Sequence, residues 1–244
     1  LLLFFKKEGL SALMRVAAII PVLNESGAIS NTLSRLPRNI IDHAIVVDGG
    51  STDGTIAEAE AHGAEVIAEA RRGYGRACLT GAERAAALGA DLVMFMDGDG
   101  ADAVECAGRL IAPIDNNEAD FVLATRTRGM RAPGSMGWHQ VLAGEAIGLA
   151  VGALAGVRYS DMCAFRVLRV RDLLRLDMSE MTYGWNLEMQ IKAPRAGLRV
   201  REVPLPYYCR VAGASKVAGN MRGTVRAGTR IVGTLLRVGL GSAR

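Results

Sequence analysis

The chain is expected to be an α/β protein, a mostly parallel sheet flanked by helices, and three observations point there. Short apolar runs rich in Val, Ile and Met alternate with stretches of helical period. Acidic, glycine-rich clusters fall where the runs end, and no long polar linker divides the 244 residues.

Taken in order, the first run covers 16–21 and is followed by a helical pattern over 26–36. The same alternation places strands at 44–48, 64–67, 92–97 and 121–124, and helices at 52–61, 75–88 and 103–114. Beyond about 125 it loosens into a Gly/Pro/Arg-rich loop over 126–137 and an apolar helix over 140–156. A strand near 163–167, a helix near 185–196 and strands around 200–210 follow. Residues 1–13 are set apart as an N-terminal extension, leaving 14–244 as one domain with halves at 14–124 and 125–244.

Composition narrows the classes. With 50% hydrophobic and 22% charged residues, the chain is neither disordered nor collagen-like. Four scattered cysteines with no C-x-x-C pair, and three dispersed histidines, disfavour zinc and disulfide frameworks. The apolar stretch 141–157 would span about 26 Å as a helix, short of a roughly 30 Å hydrocarbon core, and it contains Glu145. It reads as buried or interfacial, and the protein as soluble or peripheral. Charge is uneven: 210–244 holds seven of the 29 basic residues and none of the 25 acidic ones. At 100° per residue Arg222, Arg226, Arg230 and Arg237 fall within about 80°, with Ile231, Leu235 and Val238 opposite, a basic amphipathic helix suited to an anionic membrane surface.

The chemistry gathers at strand ends, where open α/β sheets place ligands. In Asp97-Gly98-Asp99 the alternation sets two carboxylates on one side, the glycine admits a close ligand, and hard oxygens favour Mg²⁺ or Mn²⁺. The same tripeptide also serves as an ordinary turn or cap. Asp48, at the end of a buried strand, needs donors that a nucleobase N–H would supply, while Thr52 or Asp53 would cap the next helix. Arg71 and Arg72, before Gly73-Tyr74-Gly75, combine guanidinium groups with a helix start, which suits a phosphate.

These motifs, with Ile20-Pro21-Val22-Leu23-Asn24-Glu25, Asp161 to Arg166, Tyr183 to Gln190 and Arg210 to Lys216, occur in an order that resembles family 2 glycosyltransferases of the GT-A fold. The nearest likeness is to the branch acting on dolichyl or polyprenyl phosphate. That resemblance implies a nucleotide-sugar-binding half at 14–124 and an acceptor half at 125–244. It places Pro21, Asn24, Glu25 and Asp48 around the nucleoside, with Arg72 and Gly98 beside the donor. Asp97 and Asp99 would hold the metal on the donor diphosphate, and Arg210, Ser215 and Lys216 would close over phosphates. Arg126 and Trp185 would face the acceptor. The implied reaction is an inverting sugar transfer from a UDP- or GDP-sugar to a polyprenyl phosphate at the cytoplasmic face of a membrane, with room for a small membrane-protein partner.

A hydroxyl acceptor in polysaccharide or glycolipid synthesis would instead need a general base, for which Asp161 and Glu188 are the candidates. Glu188 also stands four residues from Lys192, as in a plain helix ion pair. A sugar-phosphate nucleotidyltransferase is disfavoured because Pro21 to Glu25 is not its glycine-rich basic loop. A non-catalytic nucleotide- or lipid-binding module is disfavoured by the intact charged set. Nucleic acid is not an expected partner, since the basic tail lacks interleaved aromatics.

Overall fold

The computed structural model describes residues 14–212 and residue 233. The 1–13 extension, Ser215, Lys216 and the helical face of Arg222 to Arg237 therefore lie outside the described residues. Among the described residues seven strands form one sheet: β1 (Val16–Val22), β2 (His43–Asp48), β3 (Glu65–Ala68), β4 (Leu92–Phe95), β5 (Phe121–Thr125), β6 (Arg166–Arg169) and β7 (Val200–Pro204). Their order is β3-β2-β1-β4-β6-β5-β7. Only β6 runs antiparallel, against both β4 and β5.

Alternation within β1 distributes its side chains to two cores. Val16, Ala18, Ile20 and Val22 pack with α1 (Ala28–Ser34), α2 (Thr55–Ala61) and α4 (Ala107–Asp115). Ala17 and Ile19 pack with α3 (Tyr74–Ala87), α6 (Val170–Arg175) and α7 (Trp185–Arg195), where Val151 of α5 (Trp138–Ala155) joins them. Burial on both faces is why the central strands read as unbroken apolar runs. On α3, a Cβ at Gly81 would stand 2.4 Å from Ile19 Cγ2, so glycine lets this helix lie directly on the sheet. Because β1 has β2 on one side and β4 on the other, the order reverses there, and the loops leaving β1 and β4 open a crevice at the carboxyl edge.

The second half departs from the expected elements. The strand expected at 163–167 is β6, shifted to Arg166–Arg169, with Arg166 fully buried and donating from Nε to the Cys163 carbonyl at 3.1 Å. Helix α6 follows at once and was not expected. A 3-10 turn, Val104–Cys106, precedes α4. After β7 the chain leaves the sheet, and Tyr207 makes only isolated bridges to Asp102 and Arg131. No helix among the described residues is long and apolar enough to cross a membrane.

Candidate active site

The loop after β4 is the centre of the site. Asp97 and Asp99 point into the crevice, and burial, reinforced by the charge of Asp99 and also of Glu25, pushes the Asp97 carboxyl up to about 6. Arg126 and Arg210 pull the other way, so five charged groups from four segments share one field. Arg210 Nη2 lies 2.7 Å from Asp99 Oδ2, while its Nη1 is 3.8 Å from Glu25 Oε1. The strand-like segment after β7 delivers that arginine: Tyr208 N–H donates to the Ala101 carbonyl at 2.9 Å and Val211 N–H to that of Asp99 at 3.1 Å. Gly100, at φ 79°, makes the turn beneath it.

A third carboxylate went unnoticed in the sequence. Asp102 accepts the Asp97 N–H at 3.1 Å, and burial together with Asp97 and Asp99 raises it to about 8. Arg35 clamps the same loop, donating to the carbonyls of Gly100 and Asp102 at 2.9 Å each while lying 4.8 Å over the Tyr208 ring. The third aspartate of the run Asp97-Gly98-Asp99-Gly100-Ala101-Asp102 was the available signal for Asp102. Nothing local marks Arg35, which reaches the loop from α1's end across more than sixty residues.

The pocket edge formed by β1 and β2 is stitched by short polar bonds. Asn24, in the left-handed region at φ 52°, donates its N–H to the Ser51 hydroxyl oxygen at 2.8 Å and accepts the Thr52 N–H on Oδ1 at 2.8 Å. Glu25 N–H donates to Thr55 Oγ1 at 2.8 Å. Buried Asp48 accepts from Gly50 and Ser51 N–H groups at 3.0 Å, so its own turn supplies the donors that were expected from a nucleobase. Asp53 accepts the Thr55 N–H at 3.0 Å, but α2 begins at Thr55 with Gly54 before it, later than the expected start at 52. Pro21, next to last in β1, is half-buried beside this edge, and Leu23 is exposed just beyond the strand.

Several expectations need correcting. A Cβ at Gly98 would meet Val22 Cγ1 at 2.8 Å, so this glycine faces β1 and the core, and its role is close packing. Trp185 cannot face an acceptor: it is fully buried, edge-on to Phe95 with ring centroids 6.1 Å apart, because it opens α7 on the side that packs under the sheet. Glycines 73 and 75 are required where their Cβ positions would strike the carbonyls of Met181 and Glu180, and Met181 O already accepts the Arg76 N–H. That helix start is thus covered by protein, while Arg72 lies exposed on the loop before it, with Arg71 paired to Glu69 at 2.8 Å.

Neither base candidate stands open. Asp161 is fully buried and grips Arg126 in a fork, with Nε and Nη2 each 2.7 Å from a carboxylate oxygen, and it also accepts the N–H groups of Arg126 and Met162. Burial opposes the charge, yet the Arg126 pair holds its carboxyl below the ordinary value. Arg126 itself lies 5.1 Å over the Tyr207 ring. Behind them Glu202 accepts the Ser160 N–H at 2.8 Å and hydroxyl at 2.7 Å, fixing the turn. Glu188 is equally saturated: Ser179 N–H and Oγ, Glu180 N–H and Lys192 Nζ all donate to it, holding its carboxyl low against burial. The pair with Lys192 is present but on an inward face, where Glu188 pins the 179–181 turn.

A GT-A-type sheet with a two-aspartate loop at its carboxyl edge defines a class of sugar-transfer proteins, and comparison with known proteins agrees. The family described as Glycosyl transferase family 2 matches residues 17–173. An uncharacterised glycosyltransferase of Mycobacterium bovis is 32% identical over 212 residues, covering 86% of this chain and 93% of that protein. The undecaprenyl-phosphate mannosyltransferase of Micrococcus luteus is 30% identical, covering 86% and 90%. Among solved structures, glucosyl-3-phosphoglycerate synthase from Mycobacterium tuberculosis superposes with a TM-score of 0.72 at 21% identity, over 98% of this chain and 83% of that one, a likeness of fold. The chain belongs to glycosyltransferase family 2 and is a glycosyltransferase.

Proposed function

We propose that the protein transfers a sugar, with inversion, from a nucleotide-diphosphate sugar to a polyprenyl phosphate at the cytoplasmic face of a membrane, using a divalent cation. The observation that carries this reading is the pair Asp97 and Asp99 facing Arg210 across the crevice. Two neighbouring carboxylates, one of them pushed up to about 6, fit a cation: they are hard oxygen donors whose mutual repulsion a positive charge relieves, as the Arg210 guanidinium already does for Asp99. Bound there, Mg²⁺ or Mn²⁺ would neutralise charge growing on the departing diphosphate. A solved protein of the same fold has been crystallised with Mn²⁺ and UDP-glucose, which supports the cation and the donor class.

The chain's own residues divide the remaining work. Asn24, Glu25 and Asp48 shape the nucleoside edge, with Pro21 next to last in the strand that leads to it. Arg210, delivered by the segment after β7, adds a second positive charge to the diphosphate, and Ser215 and Lys216 are assigned to the same closing loop by resemblance alone. Arg126, oriented by Asp161 and stacked on Tyr207, is the group to receive an acceptor phosphate.

A phosphate monoester is a ready nucleophile at neutral pH, whereas a hydroxyl requires a base. The saturation of Asp161 and Glu188 by donors therefore favours the phosphate, as do the names of relatives such as the polyprenol monophosphomannose synthase of Mycolicibacterium smegmatis, 28% identical. The test is a donor screen with Mn²⁺ or Mg²⁺ that reads nucleoside diphosphate release with and without short-chain polyprenyl phosphate. Stimulation by the lipid phosphate is expected. Stimulation by soluble alcohols or sugars alone would replace this acceptor with a hydroxyl, and a failure of any metal-dependent donor binding would leave a non-catalytic module.

A further inference from the structure

Both oxygens of Asp99 are already engaged. Its Oδ1 accepts the Ala101 N–H at 2.9 Å, and its Oδ2 lies 2.7 Å from Arg210 Nη2. The aspartate is buried, so little water screens that pair. Arg210 Nη1 stands 3.8 Å from Glu25 Oε1 and is buried without a hydrogen bond among the described residues. One arm of the guanidinium fork thus neutralises a carboxylate of the metal pair, and the other carries a donor still lacking an acceptor.

The segment that bears Arg210 is tied down unevenly. Tyr207 N–H donates to the Met130 carbonyl and Tyr208 N–H to that of Ala101, each at 2.9 Å, while Tyr208 Oη donates to Glu105 Oε1 at 2.8 Å. Past Tyr208 the hold is narrower. Val211, half exposed, donates its N–H to the Asp99 carbonyl at 3.1 Å and presses Cγ2 to 2.6 Å from where a Cβ on Gly100 would stand. Arg210 therefore follows a fixed anchor closely, and a change of side-chain rotamer carries its guanidinium several ångströms while Tyr207 and Tyr208 stay docked.

A divalent cation on Asp99 needs the oxygen that Arg210 holds, and two positive groups on one buried oxygen repel. We propose that Arg210 is an exchangeable partner of the metal pair: it holds Asp99 until a donor arrives, then yields the carboxylate to the cation by moving its guanidinium onto the diphosphate. Without a diphosphate, seating the cation strips Arg210 of its partner. With one, both positive groups meet anionic oxygens, and the Nη1 donor gains an acceptor. This exchange presupposes the cation and the donor class proposed above, and adds that Arg210 couples their binding, by the same factor in either direction.

Mn²⁺ binding to the full chain, read from the paramagnetic resonance of free Mn²⁺ with and without UDP or GDP, tests the exchange. In the wild type a nucleoside diphosphate is expected to tighten Mn²⁺ binding at least about tenfold. Arg210→Gln is expected to tighten binding to the nucleotide-free protein about tenfold and to shrink the gain from nucleotide to about twofold. Arg210→Lys, which keeps the charge, is expected to fall between the two. Arg171→Gln removes an exposed arginine at the other edge of the sheet and is expected to change neither constant. Nucleotide-free binding that is weaker or unchanged in Arg210→Gln would overturn the exchange and leave the cation on Asp97 and Asp99 standing. Equal tightening by Arg171→Gln would also overturn it, in favour of net charge. A wild type that binds no Mn²⁺ even with nucleotide would overturn the cation itself, and the exchange with it.

Discussion

Asp48 and Asp161 are both buried aspartates beside the crevice, yet they are held in opposite ways. Asp48 closes a turn on itself, accepting N–H groups two and three residues ahead. Asp161 holds an arginine 35 residues away in sequence, and the turn around it is fixed in turn by Glu202. Glu58 and Glu188 reverse that order: Glu58 ties α2 to Ser26 and Gly27, 32 and 31 residues earlier, at the donor edge, whereas Glu188 folds the 179–181 turn, with partners nine and eight residues earlier, over the start of α3. Asp48 is thus held by its own turn, while Asp161 is held by an ion pair that needs a distant segment to be in place. Cost of disruption should follow that division.

The metal pair is where the halves meet, and its loss should be largest. Asp97→Ala is expected to lower kcat about a thousandfold or more while circular dichroism shows an unchanged fold. A substantial residual rate would remove the two-aspartate pair from the chemistry. Next comes Asp161→Ala, which strands the Arg126 guanidinium without its partner. About 3 kcal/mol of stability is expected to go, against about 1.5 kcal/mol for Asp48→Asn, both read from urea unfolding. Equal losses would erase the contrast between the two aspartates.

Glu188→Gln sharpens it from another side. As a positioning carboxylate, Glu188 should cost about 2 kcal/mol of stability when neutralised, with its effect on rate following loosening of the 179–181 turn. A general base would show the reverse, a rate loss of about a hundredfold or more with melting unaltered. A smaller effect belongs to Gly98→Ala. The new methyl must displace Val22 Cγ1, at about 1 kcal/mol, and metal-dependent donor binding measured by calorimetry should survive.

The pH response of the donor side comes from Glu69, at the end of β3. Its Arg71 and Thr80 partners lower its carboxyl from 4.5 to about 2 against a little burial. A carboxylate depressed in the folded state stabilises it fully above its ordinary value and loses that contribution as pH falls through the folded one. The difference in urea midpoint between the wild type and Glu69→Gln is therefore expected to stay constant above about pH 5 and to close between 4.5 and 2. A difference that widened in acid would mean that the pair is absent.

How far each part was legible follows the same line. The alternation of β1, β2, β3, β4 and β5 with helices could be read directly, as could the clustering of Asp48, Asp97 and Asp99 at strand ends. Arg210 was placed near phosphates by resemblance, but its contact with Asp99 depends on Tyr208 and Val211 docking on the loop after β4. Trp185 was placed at the acceptor by resemblance, and only its packing on Phe95 reveals it as core. Asp102 was hidden by its own neighbours, since a third aspartate in a glycine-rich loop looks like another turn residue.

By itself the sequence determined the alternation of strands and helices through β5 and where carboxylates collect, because periods of two and 3.6 residues and the residues that break them are local properties of the chain. Tertiary structure alone decided that β6 turns antiparallel, that Gly98 faces inward, and which arginine meets which aspartate. Those outcomes depend on burial and on charges brought within a few ångströms from segments tens of residues apart, and neither distance nor solvent exclusion exists until the chain has packed.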